Sequence, residues 1–190
     1  MIKKEIKTAF MVFIAMTFLT GVIYPAMVTA LAQFIFPKQA SGSIVYRPGY
    51  TPTGSELIGQ PFTGQGYFWP RPSSTPGFPY NPMASGGSNL GPTNPALIDK
   101  ISTRIQTLLA AGITTPVPSD MVMGSGSGLD PDISLQSAIV QVPRIARARQ
   151  LPEAMVYGLV RKYNVGDSYI PLTVPRVNVL KLNLALDSIQ

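Results

Sequence analysis

Residues 8–37 read TAFMVFIAMTFLTGVIYPAMVTALAQFIFP, and this run decides the fold because it contains no charged residue. A bilayer hydrocarbon core about 30 Å thick is crossed by about 20 residues of apolar helix, each rising about 1.5 Å. The run exceeds that length, which allows for tilt or for an extension into the interface. The sequence therefore predicts one transmembrane helix over residues 8–36.

The charges that flank this run predict its orientation. Lys3, Lys4 and Lys7 precede it, and positive residues are enriched on the cytoplasmic side of membrane helices. We therefore expect residues 1–7 to lie in the cytoplasm and residues 37–190 to form an extracytoplasmic domain. The protein would then be a single-pass protein of the cytoplasmic (inner) membrane, in contact with membrane lipid.

A cleaved secretory signal is the alternative to a membrane anchor. Ala30 and Ala32 have the small-x-small spacing of a cleavage site. The apolar core of such a signal has about 7–15 residues, whereas this run is about twice as long. The length therefore favours an anchor.

Small residues along the predicted span permit the close approach of another helix. Gly21 and Ala26 are among them, and we expect partner contact at both positions. The span contains no strict GxxxG pattern, so a passive tether is the alternative interpretation.

The composition of the chain excludes several classes of chemistry. Cysteine and histidine are absent from all 190 residues, which excludes disulfides, thiol nucleophiles, histidine-based triads and the common zinc sites. The net charge is +6, but no concentrated basic patch of the kind that binds nucleic acid is present. Arg144, Arg147 and Arg149 form a local cluster that could contact phosphate. We favour an ordinary solvated helix face for these three arginines.

The first half of the predicted domain, residues 38–96, is rich in glycine and proline, which predicts a loop-rich shell. Short strands are predicted at residues 43–46, 56–60 and 66–69, because each is β-branched or aromatic and bounded by turn residues. Aromatic side chains concentrate here and are expected to line a core: Phe62, Tyr67, Phe68, Trp69, Phe78 and Tyr80.

Helices dominate the second half. One is predicted from Pro95, because Asn94 can cap it and Gly112 can end it. Residues 177–186 alternate like a strand, but the proline ahead of them suits a helix start, and we favour a helix. The fold class is therefore a single N-terminal transmembrane helix followed by one α+β extracytoplasmic domain. Prolines predict three further helices. One starts at Pro131, one runs from Pro143 to Arg149, and one runs from Pro152 to about Tyr163.

Two glycine-rich loops, residues 85–91 and 125–130, precede predicted helix starts. Glycine lets backbone N–H groups turn inward, and a helix N-terminus favours an anion, so a phosphate cradle is physically possible at both. Neither loop matches the G-x-x-x-x-G-K-[ST] pattern, and no lysine follows either one. We therefore favour tight structural turns.

Asp130 and Asp132 are close in sequence and could serve acid–base chemistry or hold a cation. A capping role for Asp130, with Asp132 interacting with the dipole of the first helical turn, explains both residues without a function. We favour the capping role.

Several long strings resemble the C-subunit family of the Kdp potassium-transporting P-type ATPase. They include GSELIGQ at residues 54–60, ASGGSNLGPTNP at 84–95, SGSGLDP at 125–131 and RVNVL at 176–180. The resemblance extends from the apolar run almost to the C-terminus. Asp132 stands where the family commonly has histidine, so a role tied to an imidazole is not expected here.

The resemblance implies an accessory, non-catalytic subunit of an ATP-driven, high-affinity potassium uptake complex. Its implied partners are a channel-like potassium-binding subunit, a P-type ATPase subunit and a small hydrophobic subunit. The family is described as a catalytic chaperone that stabilises ATP binding by the pump. The resemblance implies no tightly bound cofactor. It also implies that ATP bound in the complex would contact a loop formed here by Ser85, Gly86, Gly87, Ser88 and Asn89.

The predicted orientation conflicts with such ATP contact. If the N-terminal lysines are cytoplasmic, residues 85–91 lie outside, and a bilayer about 30 Å thick separates them from cellular ATP. A structural role is physically simpler, with the span packed on the channel-like subunit and the outer domain over its potassium entrance. We expect Asp130 and Asp132 to contact partners there. The alternative is a membrane-anchored extracytoplasmic binding or surface domain without a transporter partner.

Overall fold

The computed structural model describes residues 2–47, 51–114, 116–166 and 174–189. The chain divides into two compact units, one ending at Ile44 and the other beginning at Val45. Each unit is described by itself below.

The first unit is dominated by one long apolar helix, Ile2–Ile35, of 34 residues. Its length of about 51 Å exceeds the roughly 30 Å of a hydrocarbon core. None of its most apolar window is buried within the chain. The helix therefore has the length and composition to cross a membrane, and it begins before the predicted span, so that it includes the N-terminal lysines. Its segments are α1 (Ile2–Phe18), a π-helical turn (Leu19–Ile23) and α2 (Tyr24–Ile35), followed by the short α3 (Pro37–Ala40).

The π-helical turn lies immediately before Pro25. Proline has no N–H, so the carbonyl of Gly21 loses its usual helical donor. The helix widens ahead of this position, and the Tyr24 N–H donates to the carbonyl of Leu19, five residues earlier. The proline is thus accommodated by a wide turn within a continuous helix.

The second unit combines helices with two small sheets. In the first sheet β1 (Ile44–Arg47) pairs with β2 (Thr51–Ser55). The second sheet is antiparallel with the order β3-β5-β4, and Ile133 lies opposite Val177. Its strands are β3 (Asp132–Ser134), β4 (Asn164–Val165) and β5 (Arg176–Asn178), and the helices are α4 (Pro95–Ala110), α5 (Leu135–Ile139), α6 (Val142–Arg149), α7 (Glu153–Tyr163) and α8 (Val179–Asp187).

Two hydrophobic clusters hold this unit together. The larger joins α5, α6, α7 and α8 to the β3-β5-β4 sheet, and Phe68 from the loop-rich half enters it with no exposed surface. The smaller lies beneath α4 and contains Leu108, Ile113, Met121 and Val122. A mixed helix and sheet unit, as predicted, follows the long apolar helix.

Four predicted helices are confirmed. α4 begins at Pro95, where the Asn94 side chain accepts a hydrogen bond from Ala96 N at 2.9 Å, and it is followed by Gly112 with φ +84°. That left-handed conformation suits glycine and ends the helix. α6 and α7 also form where the sequence predicts them, and α8 forms within the predicted segment but begins only at Val179, because Arg176–Asn178 are the strand β5.

The helix start predicted at Pro131 is wrong. β3 occupies this position and pairs with β5, so the helix α5 begins only at Leu135. Ser134 caps α5, because its side chain accepts a hydrogen bond from Ser137 N at 3.0 Å. Pairing with a distant strand has overridden the local helix-start signal.

The three predicted strands have different outcomes. The strand at residues 43–46 is confirmed one residue later, as β1. Residues 56–60 form turns and irregular chain after β2 ends, so that strand is wrong. The strand predicted at residues 66–69 is also wrong, because no neighbouring strand pairs with this segment.

Two buried side-chain amides take the place of a neighbouring strand in this segment. Asn183 accepts a hydrogen bond from Phe68 N at 2.8 Å and donates one to Phe68 O at 3.0 Å. Gln141 accepts from Trp69 N at 2.7 Å and donates to Trp69 O at 3.1 Å. The backbone of both residues is therefore satisfied as it would be in a sheet. We call these four residues the amide clamp.

The aromatic residues divide into buried and exposed groups. Phe68 and Tyr80 are buried as expected, and Phe62, Tyr67 and Trp69 are half-buried. Phe78 is 57% exposed, so its predicted core position is wrong. The Phe78 carbonyl accepts a hydrogen bond from the Thr75 hydroxyl at 2.7 Å, so the backbone of this loop is held locally.

Loss of the Asn183 side chain is expected to destabilise the second unit. Asn183→Ala leaves the Phe68 N–H and carbonyl buried without partners, and we expect the free energy of unfolding to fall by about 2–4 kcal/mol. Urea unfolding of the full chain in detergent measures this. Gln136→Ala, at an exposed position on α5, is the control and should change stability by less than about 0.5 kcal/mol. Equal effects of the two substitutions would contradict the importance of the amide clamp.

Candidate functional site

The two glycine-rich loops pack directly against each other. Gly86 N donates to Ser127 O at 2.8 Å, and the Ser85 hydroxyl donates to the same carbonyl at 3.0 Å. A Cβ atom at Gly87 would lie 3.2 Å from Gly126 O. We call residues 85–91 and 125–130 together the glycine-loop junction. Some of the donors that a phosphate would need are therefore used within the junction itself.

Gly128 is the position at which the junction requires glycine. Its φ is +68°, and a Cβ atom there would lie 2.7 Å from Gly86 O and 2.6 Å from the Thr75 side chain. Both contacts are too short for real atoms, and the left-handed backbone is also unfavourable for other residues. Gly126, two residues earlier, has nothing within 4 Å of such a Cβ.

A third loop, residues 71–81, fastens the junction. The Ser73 hydroxyl donates to Gly128 O at 2.8 Å and accepts from Tyr80 N at 2.9 Å. The Tyr80 hydroxyl donates to Arg71 O. Burial, and to a smaller extent the Asp130 carboxylate, raise the pKa of Tyr80 well above its ordinary value, so this phenol remains a hydrogen-bond donor even at alkaline pH.

Asp130 is not a helix cap, which corrects the sequence-based expectation. Its carboxylate forms an ion pair with Arg71 at 2.9 Å and accepts from Asp132 N at 3.1 Å. Gly59 N donates to the neighbouring Leu129 carbonyl at 2.8 Å. Leu129 and Asp130 therefore connect the second glycine loop to the segments that contain Gly59 and Arg71.

Asp132 does not lie at a helix start either. It is the first residue of β3, where it pairs with Arg176 at 3.0 Å and accepts from Asn178 Nδ2 at 3.1 Å. Asn178 also caps α8 by accepting from Lys181 N. Asp130 and Asp132 thus bind different arginines instead of acting together as an acid–base pair.

Both aspartates open onto a cleft of about 530 Å³ that mixes acidic and basic side chains. Asp120, in the same lining, accepts from Ser134 N at 2.7 Å and from the Ser137 hydroxyl. No group of three or more histidine, cysteine, aspartate or glutamate residues suited to a metal occurs in the described part of the chain. Paired charges of both signs are suited to recognising a charged surface. The charged lining residues are Arg71, Asp120, Asp130, Asp132 and Arg176.

The other end of the first glycine loop is open. Ser88 and Asn89 are exposed and make no hydrogen bond within the residues that the structure describes. Asn89 has φ +51°, a left-handed conformation that asparagine tolerates. Of the five residues predicted to contact nucleotide, Ser85 and Gly86 are therefore occupied, whereas Ser88 and Asn89 are available.

The predicted partner residues of the span are fully available. Gly21 lies in the π-helical turn, and no atom lies within 4 Å of a Cβ placed on it. Ala26 is exposed in α2. Neither residue packs within its own unit, which leaves both free to contact other helices.

The expectation of a solvated arginine face on α6 is wrong for two of the three arginines. Arg144 is 6% exposed, and the Arg149 side chain is 7% exposed. Arg149 pairs with Asp187 at 2.7 Å and donates to Gly66 O at 2.7 Å. Arg147 alone faces solvent. Helical spacing alone does not reveal this division, because the carbonyls that cover Arg144 and Arg149 come from residues 65–67.

The chain has one long apolar N-terminal helix that could cross a membrane and one mixed helix and sheet unit. Its general class is therefore a folded domain with a single candidate membrane helix. Comparison with known proteins defines it further. The family described as "KdpC: K+-transporting ATPase, c chain" matches residues 6–188. The chain therefore belongs to the KdpC family.

Relatives named potassium-transporting ATPase KdpC subunit match nearly the full chain. The Geobacter sulfurreducens protein is 50% identical over 186 residues, covering 98% of each chain. The Methylococcus capsulatus protein is 52% identical over 186 residues, covering 97% of each. The Burkholderia mallei protein is 48% identical over 190 residues, covering 99% of this chain and 98% of that protein.

A methyl group at Gly128 is expected to disrupt the glycine-loop junction. Gly128→Ala forces a left-handed backbone on alanine and pushes a Cβ atom into Gly86 O, and should lower the free energy of unfolding by about 1–3 kcal/mol. Gly126→Ala is the matched control in the same loop, with open space for its methyl group. Thermal unfolding of both variants measures the difference, and equal stabilities would show that the loops are not in close contact.

Proposed function

We propose that this chain is an accessory, non-catalytic subunit of an ATP-driven, high-affinity potassium uptake complex. In that complex it stabilises assembly and acts as a catalytic chaperone for the ATP-hydrolysing subunit. Membership of the KdpC family and the names of its relatives support the potassium-transporting ATPase. The observation that carries an assembly role is the helix Ile2–Ile35, which is apolar and unburied along its most apolar window. Such a helix is available to lipid and to other membrane helices.

The construction of the second unit supports a rigid recognition role rather than catalysis. In the glycine-loop junction, Gly86 N and the Ser85 hydroxyl donate hydrogen bonds to the second glycine loop. The packing leaves no space for a side chain at Gly128. Asp130 and Asp132 are held by arginines and present paired charges at the cleft. We propose that both aspartates contact a partner subunit.

The proposed orientation places the N-terminus in the cytoplasm and the second unit outside the inner membrane. The three lysines at the start of the chain support it through the preference of positive residues for the cytoplasmic side. The proposed partners are a channel-like potassium-binding subunit, a P-type ATPase subunit and a small hydrophobic subunit. Gly21 and Ala26 are the proposed contacts of the span, because small residues allow close helix packing.

Direct contact with ATP is the second candidate function. Ser88 and Asn89 favour it, because they are exposed and have polar groups without partners in the described part of the chain. Two other donors of the loop, Gly86 N and the Ser85 hydroxyl, are already used. This function also requires the second unit to share a compartment with ATP, so the orientation of the chain decides between the two candidates.

Cysteine labelling tests the orientation directly, because the chain contains no native cysteine. Ser88→Cys and Ser102→Cys, both at exposed positions, should react with a membrane-impermeant maleimide in intact cells. Lys4→Cys is the control and should react only after the cells are opened. Labelling of Ser88→Cys only in opened cells would contradict the proposed orientation and would support contact with ATP.

Removing the chain tests the accessory role. Potassium-stimulated ATPase activity of the purified complex should be lost when this subunit is omitted and should return when the full chain is added back. The full chain should also co-purify with large membrane subunits. Normal transport by the other subunits alone would overturn the proposal, and purification of the chain without membrane partners would favour an independent surface domain.

A further inference from the structure

A small cleft lies where the C-terminal end of α4 meets α6. Its volume is about 220 Å³, which is below the roughly 300–1,000 Å³ of typical small-molecule pockets. Arg144 and Arg147 line one part of it, and Gln65 and Gly112 line another. No acidic side chain lines this cleft among the residues that the structure describes. The cleft therefore combines positive charge with room for little more than one side chain.

Arg144 is a buried cation that has no counter-ion among the residues the structure describes. It is 6% exposed and donates to Gln65 O at 2.5 Å and to Tyr67 O at 2.8 Å, both neutral acceptors. Its guanidinium lies 4.2 Å from the centre of the Trp69 ring. No ion pair of Arg144 occurs in the described parts of the chain, and its Nε has no hydrogen-bond partner there. Burial lowers the pKa of Arg144 to about 10, as desolvation disfavours the charged form.

Arg149 on the same helix is a buried arginine that does have a counter-ion. It is nearly as buried as Arg144, but it pairs with Asp187 at 2.7 Å. Buried charges are normally paired in this way. The neutral carbonyls around Arg144 fix its position without balancing its charge.

Arg147 adds a second positive charge at the rim of the cleft. It lies three residues after Arg144, so the two side chains share one face of α6. Arg147 is exposed and makes no hydrogen bond or ion pair with any described residue. The rim is therefore accessible to an incoming anion, with Arg144 beneath it.

We propose that this cleft receives an acidic side chain from another subunit of the complex. Guanidinium groups bind the two oxygens of a carboxylate in a planar, bidentate geometry. A cleft of about 220 Å³ has room for one side chain, and a carboxylate is the anionic group that protein side chains carry. The partner is thus an aspartate or glutamate on a protein surface. This inference rests on the proposed function, which supplies the partner subunits.

Charge reversal at the rim tests the proposal in the assembled complex. Arg147→Glu should lower the fraction of partner subunits retained at moderate salt by at least about tenfold, because it replaces attraction by repulsion. Arg147→Lys should retain most of the binding, since it keeps the charge. Arg161→Glu, an exposed charge reversal on α7, is the matched control and should have no effect. Equal melting temperatures of the isolated chains would show that the exposed substitutions leave the fold intact.

Cross-linking identifies the occupant. Arg147→Cys, modified with a benzophenone maleimide, should cross-link to a partner segment that contains aspartate or glutamate. Reversing that acidic residue to arginine should restore the retention lost in Arg147→Glu. Unchanged retention in Arg147→Glu would overturn the proposal, as would a cross-link to lipid, which would point to a phosphate headgroup. Failure of the unmodified chain to retain any ATPase subunit would instead refute the proposed function.

Discussion

The second unit depends on satisfying the backbone of a long irregular segment that no sheet supports. Residues 56–94 contain no helix or strand, yet parts of them are buried, and buried N–H and carbonyl groups must find partners. Side chains supply these partners. The amide clamp holds Phe68 and Trp69, and Arg144 binds the carbonyls just before them. The helices α6 and α8 therefore have a second role, because they position polar groups that replace a missing strand.

Local sequence signals correctly predict those elements whose structure depends mainly on residues adjacent in the chain. The apolar run identified the long helix, and Asn94 and Gly112 correctly marked the ends of α4. The helix expected from Pro131 failed because the preference for β3 comes from its pairing with β5, about 45 residues away. The strand expected at residues 66–69 failed for a related reason. Two buried side-chain amides hold this segment in place of a neighbouring strand, and a single buried asparagine or glutamine leaves no periodic pattern that would reveal its role.

The candidate site shows the same limit. The sequence identifies each glycine loop separately, but the hydrogen bonds between them arise only in the tertiary fold, where residues 71–81 also hold the second loop. Asp130 and Asp132 were noticed as a pair, and their true partners, Arg71 and Arg176, are distant in sequence. The arginine cluster was interpreted as solvated because helical spacing alone does not show which positions other loops cover. Burial by irregular chain is a property of the tertiary fold, and no pattern within α6 predicts it.

The wide turn at Leu19–Ile23 has a consequence for how the long helix meets its surroundings. A helix advances about 100° around its axis with each residue, so one extra residue in a turn rotates everything beyond it by about that angle. The stripe of side chains that faces one direction in α1 is therefore offset from the stripe that continues in α2. In a bilayer, a helix with this offset can therefore contact one neighbour through α1 and a second neighbour, in a different direction and at a different depth, through α2.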